Sequence, residues 1–378
     1  MTAKLHFVFA GGGTAGHLFP GLAVAERLAR DYPQAQITFC GTGKPFERQQ
    51  VASAGYQYLA LPCRPFPRRP REALRFVTDN VSAYYSARRF LRANNVAMVI
   101  GLGGYASVAM ARAAIRRGVR LVLVEQNAVP GLATRWLSPR AELVFAAFDQ
   151  VRSRLQSGCR LRITGNPIRE EFLALLDRPP LYLRQPASHR RALLVLGGSG
   201  GARVLNQHVP LALYKASAAI KDWRIVHQTG PRDVDSTSQL YRKLGLKATV
   251  APFIRNMAHV LLHTDLAISR AGGTTLAELA AAAVPAILLP YPYAADDHQR
   301  TNAEAFVADG ACRLIDQLDE TERLDNQLAA TVLELVSDPT LRHRMAEAMQ
   351  RRARPQAARQ IAAAIATYLP SEQLSGVA

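Results

Sequence analysis

Glycine-rich segments that follow short apolar runs carry the clearest chemical signals in this chain. Ala10–His17 (AGGGTAGH) directly follows Leu5–Phe9 and fits the pattern G-x-G-x-x-G. A strand that ends in glycines and leads into a helix is typical of a phosphate or nucleotide site, because the backbone can approach the ligand and the first helical N–H groups carry partial positive charge. This segment alone leaves open whether the ligand is a dinucleotide cofactor or another phosphorylated molecule.

The next predicted strand and turn bear on that choice. A NAD-binding fold places an acidic residue near the end of its second strand, where it holds the ribose. In this chain the predicted strand Ile37–Cys40 is followed by Gly41-Thr42-Gly43, and the first acidic residue is Glu47. This arrangement counts against a nicotinamide cofactor.

A denser polar cluster lies in the second half of the chain. The segment Ser269–Glu278 predicts a strand end, a Gly-Gly turn and a helix that Thr274-Thr275 caps, with Glu278 in its first turn. The helix N–H groups would hold a diphosphate, and a carboxylate one turn in can accept two ribose hydroxyls. Taken alone, Glu278 is better explained as an acid that stabilises the positive end of its helix.

The order of apolar runs and helical patterns predicts two α/β domains. Buried-type strands alternate with helices, and glycines or polar residues follow the strands, which is typical of an open, mostly parallel sheet. The opening pattern returns at Leu193–Gly201, where an apolar run again leads into glycines and a helix. A chain of 378 residues is long enough for two such domains, each with its own core.

The net charge of +18 is concentrated in the first half of the chain. Residues 1–169 hold 24 lysines and arginines against 8 acidic residues, whereas residues 170–378 hold 23 against 21. We therefore expect the first half to face nucleic acid, a phosphorylated substrate or an acidic lipid surface. The arginines lack a recognised nucleic-acid-binding module, which counts against nucleic acid.

The segment Pro62–Arg92 is the most cationic part of the chain. Aromatic and aliphatic residues are interleaved with its arginines, which are Arg64, Arg68, Arg69, Arg71, Arg75, Arg88, Arg89 and Arg92. This composition suits the interface of an anionic bilayer, and the alternative is an amphipathic helix that packs its apolar side on the sheet. No apolar stretch is long enough to span a membrane, and the four scattered cysteines fit a reducing compartment.

Seven segments, taken in order, resemble one glycosyltransferase family. They are AGGGTAGH, GLGGYAS, EQN with PGLATRWL, TGNPIR, GGSGGARVLN, SRAGGTTLAEL and PYPYAADDHQRTNA. The chain is similar in these segments and their spacing to the MurG family of GT-B enzymes, which transfer GlcNAc from UDP-GlcNAc to lipid I in peptidoglycan synthesis. The resemblance implies two Rossmann-like, doubly wound parallel-sheet domains that face each other across a cleft.

The same resemblance implies domain boundaries and a division of labour. An acceptor-binding, membrane-facing domain is expected over residues 1–165, with a C-terminal helix at about 355–370 joined to it. A UDP-GlcNAc-binding domain is expected over residues 166–354. In the donor site Arg169 and Ser199 would meet the diphosphate. Ile254 would face the uracil, and Glu278 would hold the ribose. The other implied donor residues, at the phosphates or the sugar, are Gly200, Asn206, Gly273, Thr274, Thr275, Leu276, His298 and Gln299.

The first domain would bind the acceptor lipid and supply the base. The acceptor diphosphate would lie at two glycine loops, whose implied binding residues are Gly13, Thr14, Ala15, Gly16, Gly103, Gly104 and Tyr105. His17 would take the proton from the muramoyl 4-hydroxyl as that oxygen displaces UDP, because a neutral imidazole suits this transfer near pH 7. The alternative is that His17 caps its helix or orients Glu125 or Asn127. These two are the other catalytic candidates, and Asn127 would lie near the reacting centre or touch the donor sugar.

No cofactor is expected, and no metal is expected to be obligatory. The chain has no apparent Asp-x-Asp motif, so helix dipoles and Arg169 would stabilise the leaving UDP. Asp296-Asp297 is better explained as a turn than as a metal site. The chain departs from the family at Ala15, which adds a methyl group where glycine is common. It departs again at Gly200, which lacks the side chain of a frequent glutamine.

The implied reaction is an inverting transfer of GlcNAc at the cytoplasmic face of the plasma membrane, where the protein would be peripheral. The expected partners are UDP-GlcNAc, lipid I and an anionic membrane surface, with no nucleic acid. The family also implies cell-wall synthesis and division proteins as partners. Two alternatives stay open: a GT-B transferase that acts on another lipid acceptor, such as diacylglycerol, and a non-catalytic sugar-nucleotide-binding protein.

Overall fold

The computed structural model describes residues 5–67, 69–176, 190–317 and 321–369, so Arg68 of the cationic segment lies outside the described residues. The chain divides into two compact units. The first unit comprises Met1–Arg169 and Gln356–Ala378, and the second comprises Glu170–Pro355. Each unit contains one sheet whose strands pair in parallel. The predicted pair of parallel-sheet α/β domains is therefore confirmed.

The first unit is built on a seven-stranded sheet. Its elements, in chain order, are β1 (His6–Ala10), α1 (Ala15–Asp31), β2 (Gln36–Gly41), α2 (Pro45–Ser53), β3 (Gln57–Ala60), α3 (Ala73–Ala93), β4 (Met98–Gly101), α4 (Tyr105–Arg117), β5 (Arg120–Glu125), α5 (Leu132–Leu137), β6 (Leu143–Ala146) and β7 (Leu161–Ile163). Short 3-10 helices lie at Pro70–Glu72, Ser138–Arg140 and Asp149–Arg154. The strand order is β3-β2-β1-β4-β5-β6-β7, so the order reverses direction between β1 and β4.

The second unit is built on a six-stranded sheet. Its elements are α6 (Glu170–Leu176), β8 (Ala192–Leu196), α7 (Arg203–Lys215), β9 (Arg224–Gln228), α8 (Val234–Lys243), β10 (Ala248–Ala251), α9 (Met257–Leu262), β11 (Leu266–Ser269), α10 (Gly273–Ala281), β12 (Ala286–Leu288), α11 (His298–Val307), β13 (Cys312–Leu314), α12 (Thr321–Ser337) and α13 (Pro339–Arg351). A short 3-10 helix lies at Ala295–Asp297. The strand order is β10-β9-β8-β11-β12-β13, so the order reverses between β8 and β11.

The central strands of both sheets are buried along their whole length. Every residue of β1 and of β8 is buried, as expected for parallel strands that helices cover on both faces. Across β1 and β2 the rings of Phe9 and Phe39 stack with their centroids 4.9 Å apart. These buried strands hold rigidly the loops that leave their carboxyl ends, which is where open α/β sheets bind ligands.

The last described helix, α14 (Ala357–Ala366), belongs to the first unit and packs against α1. Its apolar residues recur at helical spacing, and Ile361 and Ile365 are fully buried. The hydroxyl of Tyr368 donates a hydrogen bond to the carbonyl of Glu142 at 3.5 Å. The chain thus returns from the second unit to complete the core of the first. Within the described ranges, no helix combines the length and apolar character needed to cross a membrane.

Candidate active site

The first glycine loop lies at the switch point of the first sheet, between the carboxyl ends of β1 and β4. Gly11, Gly12 and Gly13 have φ values of +149°, +154° and +89°, a region that favours glycine. A Cβ on Gly11 would lie 2.8 Å from the Cβ of Leu102, so a side chain there would not fit. The glycines therefore allow the chain to cross the ends of two strands before α1 begins.

A buried carboxylate, Glu47 of α2, fixes the shape of this loop. Its Oε1 accepts hydrogen bonds from the Gly13 N–H and from the Thr42 hydroxyl at 2.8 Å. Its Oε2 accepts from the Gly43 N–H at 3.2 Å and from the Tyr58 hydroxyl. Burial and the hydrogen bond to Glu47 raise the pKa of Tyr58. Because Glu47 already occupies the Gly13 N–H, a phosphate at this loop would have to be held by the residues after Gly13.

His17 lies where the first glycine loop meets the second one, which follows β4. Gly103 and Gly104 have φ values of +85° and +69°. A Cβ on Gly103 would lie 3.3 Å from His17 Cδ2, and one on Gly104 would lie 3.8 Å from His17 Cε1. On the opposite edge of the ring, His17 Nδ1 lies 3.1 Å from the Oγ1 of Thr14, the residue at the N-cap of α1. The structure thus brings His17, Thr14 and the second loop together.

The acceptor candidates after Gly13 all lie at the ends of helices. Ala15 and Gly16 form the first turn of α1, and Tyr105 is the first residue of α4 with Gly104 at its N-cap. The first N–H groups of a helix have no intrahelical acceptor, so such positions suit an anion. Tyr105 is half-buried, and burial raises the pKa of its hydroxyl. Its hydroxyl is therefore protonated at neutral pH.

Glu125, at the end of β5, organises the loop that follows it. Its Oε1 accepts hydrogen bonds from the backbone N–H and the Nδ2 of Asn127, at 3.2 and 3.5 Å. Its Oε2 accepts from the Gly131 N–H at 3.2 Å and the Thr134 hydroxyl at 2.6 Å. Burial raises the pKa of Glu125, and these hydrogen bonds oppose the shift. In this structure Glu125 bonds to Asn127 through Oε1 and to Gly131 and Thr134 through Oε2, so both of its oxygens are occupied.

Arg169, the last residue of the first unit before the chain crosses over, stacks on an aromatic ring. Its guanidinium lies 4.2 Å from the centroid of Phe19, a residue of α1. A guanidinium over an aromatic face is attracted by the ring quadrupole and is held in orientation by it. The contact links the TGNPIR segment to the helix that begins at the first glycine loop.

The switch point of the second sheet carries another pair of loops, one after β8 and one after β11. In the first of these, a Cβ on Gly201 would lie only 1.9 Å from the carbonyl oxygen of Thr229, so the loop packs directly on backbone. Gly200 is exposed, and a Cβ there would meet nothing within 4 Å. Ser199, next to it, is half-buried. A side chain at position 200 would therefore extend into open space beside Ser199.

The second loop leads into α10 differently from the prediction. The helix begins at Gly273 with Gly272 as its N-cap, and no side chain caps it. Thr274 and Thr275 lie inside the first turn instead of capping the helix, because the helix already begins at Gly273. Glu278 consequently lies in the second turn, where it is buried. Leu276 is fully buried, so its side chain packs inside the unit.

Two further donor candidates use their polar atoms inside the unit. Asn206 Nδ2 donates to the Thr229 carbonyl at 3.0 Å and to Asp233 at 2.8 Å, and its Oδ1 lies 3.1 Å from Nε2 of buried His227. The Ile254 N–H donates to Gln228 Oε1 at 2.8 Å. Asn206 thus holds the segment after β9 in place through its contacts with Thr229 and Asp233. A ligand that used the Ile254 N–H would have to displace a glutamine.

Arg270, which the sequence did not single out, fixes the segment that carries Gln299. Its guanidinium donates to the carbonyls of Leu289 and Pro290 at 2.9 and 3.0 Å, and burial lowers its pKa to about 10. Gln299 Oε1 accepts from the Tyr291 N–H at 3.0 Å. In the sequence, the only sign of this residue was an arginine that follows a strand and precedes two glycines. Its role in holding the Leu289-Pro290 backbone became clear only from its contacts.

The neighbouring acidic pair forms a turn at the start of α11. Asp296 and Asp297 have φ values of +51° and +52°, and His298 Nδ1 lies 2.8 Å from the Ala295 carbonyl. Arg300 pairs with Asp297 at 3.4 Å. Among the residues the structure describes, no group of three or more His, Cys, Asp or Glu side chains is arranged to hold a metal ion.

Comparisons with known proteins agree with this architecture. The glycosyltransferase family 28 N-terminal domain matches residues 7–146, and the glycosyltransferase family 28 C-terminal domain matches residues 192–361. A relative from Acidithiobacillus ferrooxidans is 40% identical over 94% of this chain and 96% of its own length. A relative from Pelobacter propionicus is 38% identical over 96% of this chain and 99% of its own. Both are named UDP-N-acetylglucosamine–N-acetylmuramyl-(pentapeptide) pyrophosphoryl-undecaprenol N-acetylglucosamine transferase.

Solved structures show the same fold. MurG from Acinetobacter baumannii matches with a TM-score of 0.72 and 29% identity, covering 96% of this chain and all of that one. UDP-GlcNAc 2-epimerase from Neisseria meningitidis, at 13% identity and a TM-score of 0.67, shares the fold alone. Two parallel α/β sheets with glycine loops at both switch points, and these neighbours, define a GT-B glycosyltransferase. The family matches and the near full-length relatives place it more closely: the chain belongs to glycosyltransferase family 28.

Proposed function

We propose that the protein transfers GlcNAc, with inversion, from UDP-GlcNAc to the muramoyl 4-hydroxyl of undecaprenyl-diphospho-MurNAc-pentapeptide. The observation that carries the proposal is His17, placed between two glycine loops at the switch point of the first sheet. The second sheet offers a helix N-terminus at its own switch point, as a nucleotide diphosphate requires. The near full-length relatives named for this reaction support the choice of substrates.

The second unit would bind the donor. The N-terminus of α10, with Gly273, Thr274 and Thr275 in its first turn, would hold the diphosphate of UDP. Glu278 would accept hydrogen bonds from the ribose hydroxyls, and Gln299 would bind the GlcNAc hydroxyls. Ser199 would assist at the phosphates, and Ile254 would lie against the uracil.

His17 would act as the general base through Nε2. Because Nδ1 lies 3.1 Å from Thr14 Oγ1, an Nδ1–H donated to that oxygen leaves the Nε2 lone pair as the basic site. The proton of the 4-hydroxyl passes to Nε2 while the oxygen bonds to the anomeric carbon of GlcNAc. The bond from that carbon to the phosphate oxygen breaks, and its electron pair leaves with UDP. The helix dipole of α10 and Arg169 would stabilise the charge on UDP without an obligatory metal, and activity in excess EDTA tests this.

Two variants separate binding from chemistry. Glu278→Ala should abolish UDP-GlcNAc binding, measured by calorimetry, because it removes the carboxylate that would bind the ribose hydroxyls. His17→Ala should leave UDP-GlcNAc binding intact and lower the rate of UDP release by a factor of at least 100, the contribution expected of a general base. Full turnover by His17→Ala would refute the base assignment, and unchanged donor affinity of Glu278→Ala would refute the donor site.

A peripheral membrane contact is the second part of the proposal, and it rests on the face of α3. This α3 face comprises Leu74, Val77, Val81 and Tyr85 of the helix and Phe66, which precedes the helix and packs on Phe76. Phe66 is 81% exposed and Leu74 is 74% exposed. Val77, Val81 and Tyr85 also line a cavity of about 790 Å³ between α3 and α4, together with Arg88 and Arg112. Exposed apolar side chains flanked by arginines suit the interface of an anionic bilayer, here the cytoplasmic leaflet.

Vesicle co-sedimentation tests the membrane contact. The double variant Phe66→Ser and Leu74→Ser should bind anionic vesicles at least about tenfold more weakly than the unchanged protein, because it removes the two most exposed apolar side chains of this face. High salt should weaken binding of the unchanged protein in the same assay. Tyr214→Ser with Leu333→Ser, also exposed apolar residues but in the second unit, is the matched control. Equal binding by both double variants, or binding that ignores salt and lipid charge, would contradict a contact through the α3 face.

A further inference from the structure

Gln126, between the two catalytic candidates of the EQN segment, is a buried amide whose orientation is fixed. The side chain is 2% exposed. Its Nε2 donates to the carbonyl of Leu102 at 3.2 Å and to the carbonyl of Val124 at 2.9 Å. Both neighbours are acceptors only, so the NH2 group must face them and the amide oxygen must face the other way.

The amide oxygen of Gln126 is left without a hydrogen bond. Within the described part of the chain, Oε1 is buried and has no partner. An unpaired buried carbonyl costs free energy, so its presence in a native structure calls for an explanation. Gln228 is the counterpart at the end of β9 in the second unit, and both ends of its amide are paired. The unpaired oxygen is therefore not a general property of glutamines at strand ends in this protein.

This oxygen borders the same small space as the imidazole of His17. A Cβ on Gly103 would lie 3.8 Å from Gln126 Oε1, 3.6 Å from His17 Nε2 and 3.3 Å from His17 Cδ2. The Cδ2–Nε2 edge of the ring thus lies near the negative end of the amide dipole, across the position where Gly103 has no side chain. The amide dipole interacts only weakly with the neutral ring. Once the ring is protonated, the oxygen end of the same dipole faces a positive charge on a half-buried imidazole.

We propose that Gln126 is a positioning residue that stabilises the protonated form of His17 through its unpaired amide oxygen. The proposal rests on the proposed role of His17 as general base. The proton still passes from the acceptor hydroxyl to Nε2, and Gln126 stays neutral and exchanges no proton. Its oxygen is a dipole placed in advance where positive charge develops, so no reorganisation is needed as the proton moves.

The other charged or titratable groups around the two loops are the same in every variant compared. From the α2 side these are Glu47 and Lys44, which bond to the Gly13 N–H and carbonyl. Tyr105 follows the second loop, and Glu125 precedes Gln126 on β5. Arg169 stacks on Phe19 of the helix that carries His17. A change in the titration of His17 on substitution at position 126 therefore reports the amide itself.

Nitrogen-15 NMR of histidine-labelled protein tests the proposal directly. Gln126→Met removes the dipole and should lower the pKa of His17 by about half a unit or more, whereas Gln126→Glu places a negative charge there and should raise it by about one unit. The acid limb of the kcat/KM profile against pH should move in the same two directions. Gln228→Met, which removes a fully paired buried glutamine, should leave the pKa of His17 unchanged.

The outcomes distinguish this proposal from the function on which it rests. An unchanged pKa of His17 in both variants would overturn the role of Gln126. A glutamine with a purely structural role would not shift the pKa of His17 down in Gln126→Met and up in Gln126→Glu. If the pKa of His17 shifts in opposite directions but the acid limb of the kcat/KM profile does not move, the interaction between Gln126 and His17 stands and His17 is refuted as the base. Should Gln126→Met fail to fold, Gln126→Asn keeps the amide but withdraws its oxygen by one methylene, and a smaller downward shift is expected.

Discussion

Replacing Glu47 with glutamine should loosen both ends of the first glycine loop. The carboxylate accepts two hydrogen bonds at each oxygen, one of the two at each from a backbone N–H. In Glu47→Gln one oxygen becomes an NH2 group that faces two donors, so one backbone N–H loses its acceptor and the remaining bonds lose their charge. Hydrogen bonds to a charged group contribute about 1.5–3 kcal/mol each. We therefore expect the substitution to lower the free energy of local opening of the loop by about 2–4 kcal/mol.

Hydrogen exchange measures this opening at the residues concerned. A loss of about 2–4 kcal/mol corresponds to exchange that is about 30- to 900-fold faster at the amides of Gly13 and Gly43, if exchange proceeds through local opening. Mass spectrometry of peptides containing these amides gives the rates. Glu72→Gln removes the same charge from an exposed residue and is the matched control. Equal exchange in Glu47→Gln and the unchanged protein would refute the claim that Glu47 holds the loop.

Further predictions concern the second unit. Burial lowers the pKa of His227 from 6.5 to about 3, so between these values the unfolded chain binds a proton that the folded unit does not. The free energy of unfolding of this unit should therefore fall as the pH drops from about 6.5 towards 3, by up to about 1.4 kcal/mol per pH unit, and His227→Gln should flatten that slope in urea titrations; an unchanged slope would contradict it. Gly201→Ala should cost about 3 kcal/mol or more, because its Cβ would strike the Thr229 carbonyl, whereas Gly200→Ala should leave stability unchanged. Equal unfolding midpoints for these two variants would show that the loop can move aside.

The central strands and the glycine loops that follow them could be predicted from the sequence because both leave local signals. The apolar runs of β1 and β8 are buried on both sides, and each ends in glycines. The strands β3, β7 and β13 were not predicted. They are short edge strands whose residues are partly exposed, so no apolar run marks them. Sheet edges depend on pairing with a neighbour, and pairing leaves little trace in the strand itself.

Hydrogen bonds between residues far apart in the sequence are the part of the site that could not be predicted. Glu47 was noticed only as an acid in the wrong place for a ribose, yet it bonds to Gly13, 34 residues away. The family resemblance implied roles at the substrates for Asn206 and Glu125, and these roles remain predictions. The inward hydrogen bonds of these two residues, and the unpaired oxygen of Gln126, follow from the packing of loops that only the folded sheet brings together.

Release of UDP with and without a soluble analogue of undecaprenyl-diphospho-MurNAc-pentapeptide tests the central claim most directly. The proposed function predicts that UDP release from UDP-GlcNAc depends on this acceptor and matches, mole for mole, the formation of a GlcNAc-MurNAc product. Diacylglycerol should not replace the acceptor. UDP release that is equally fast without the analogue, or transfer to diacylglycerol at the same rate, would contradict the assignment.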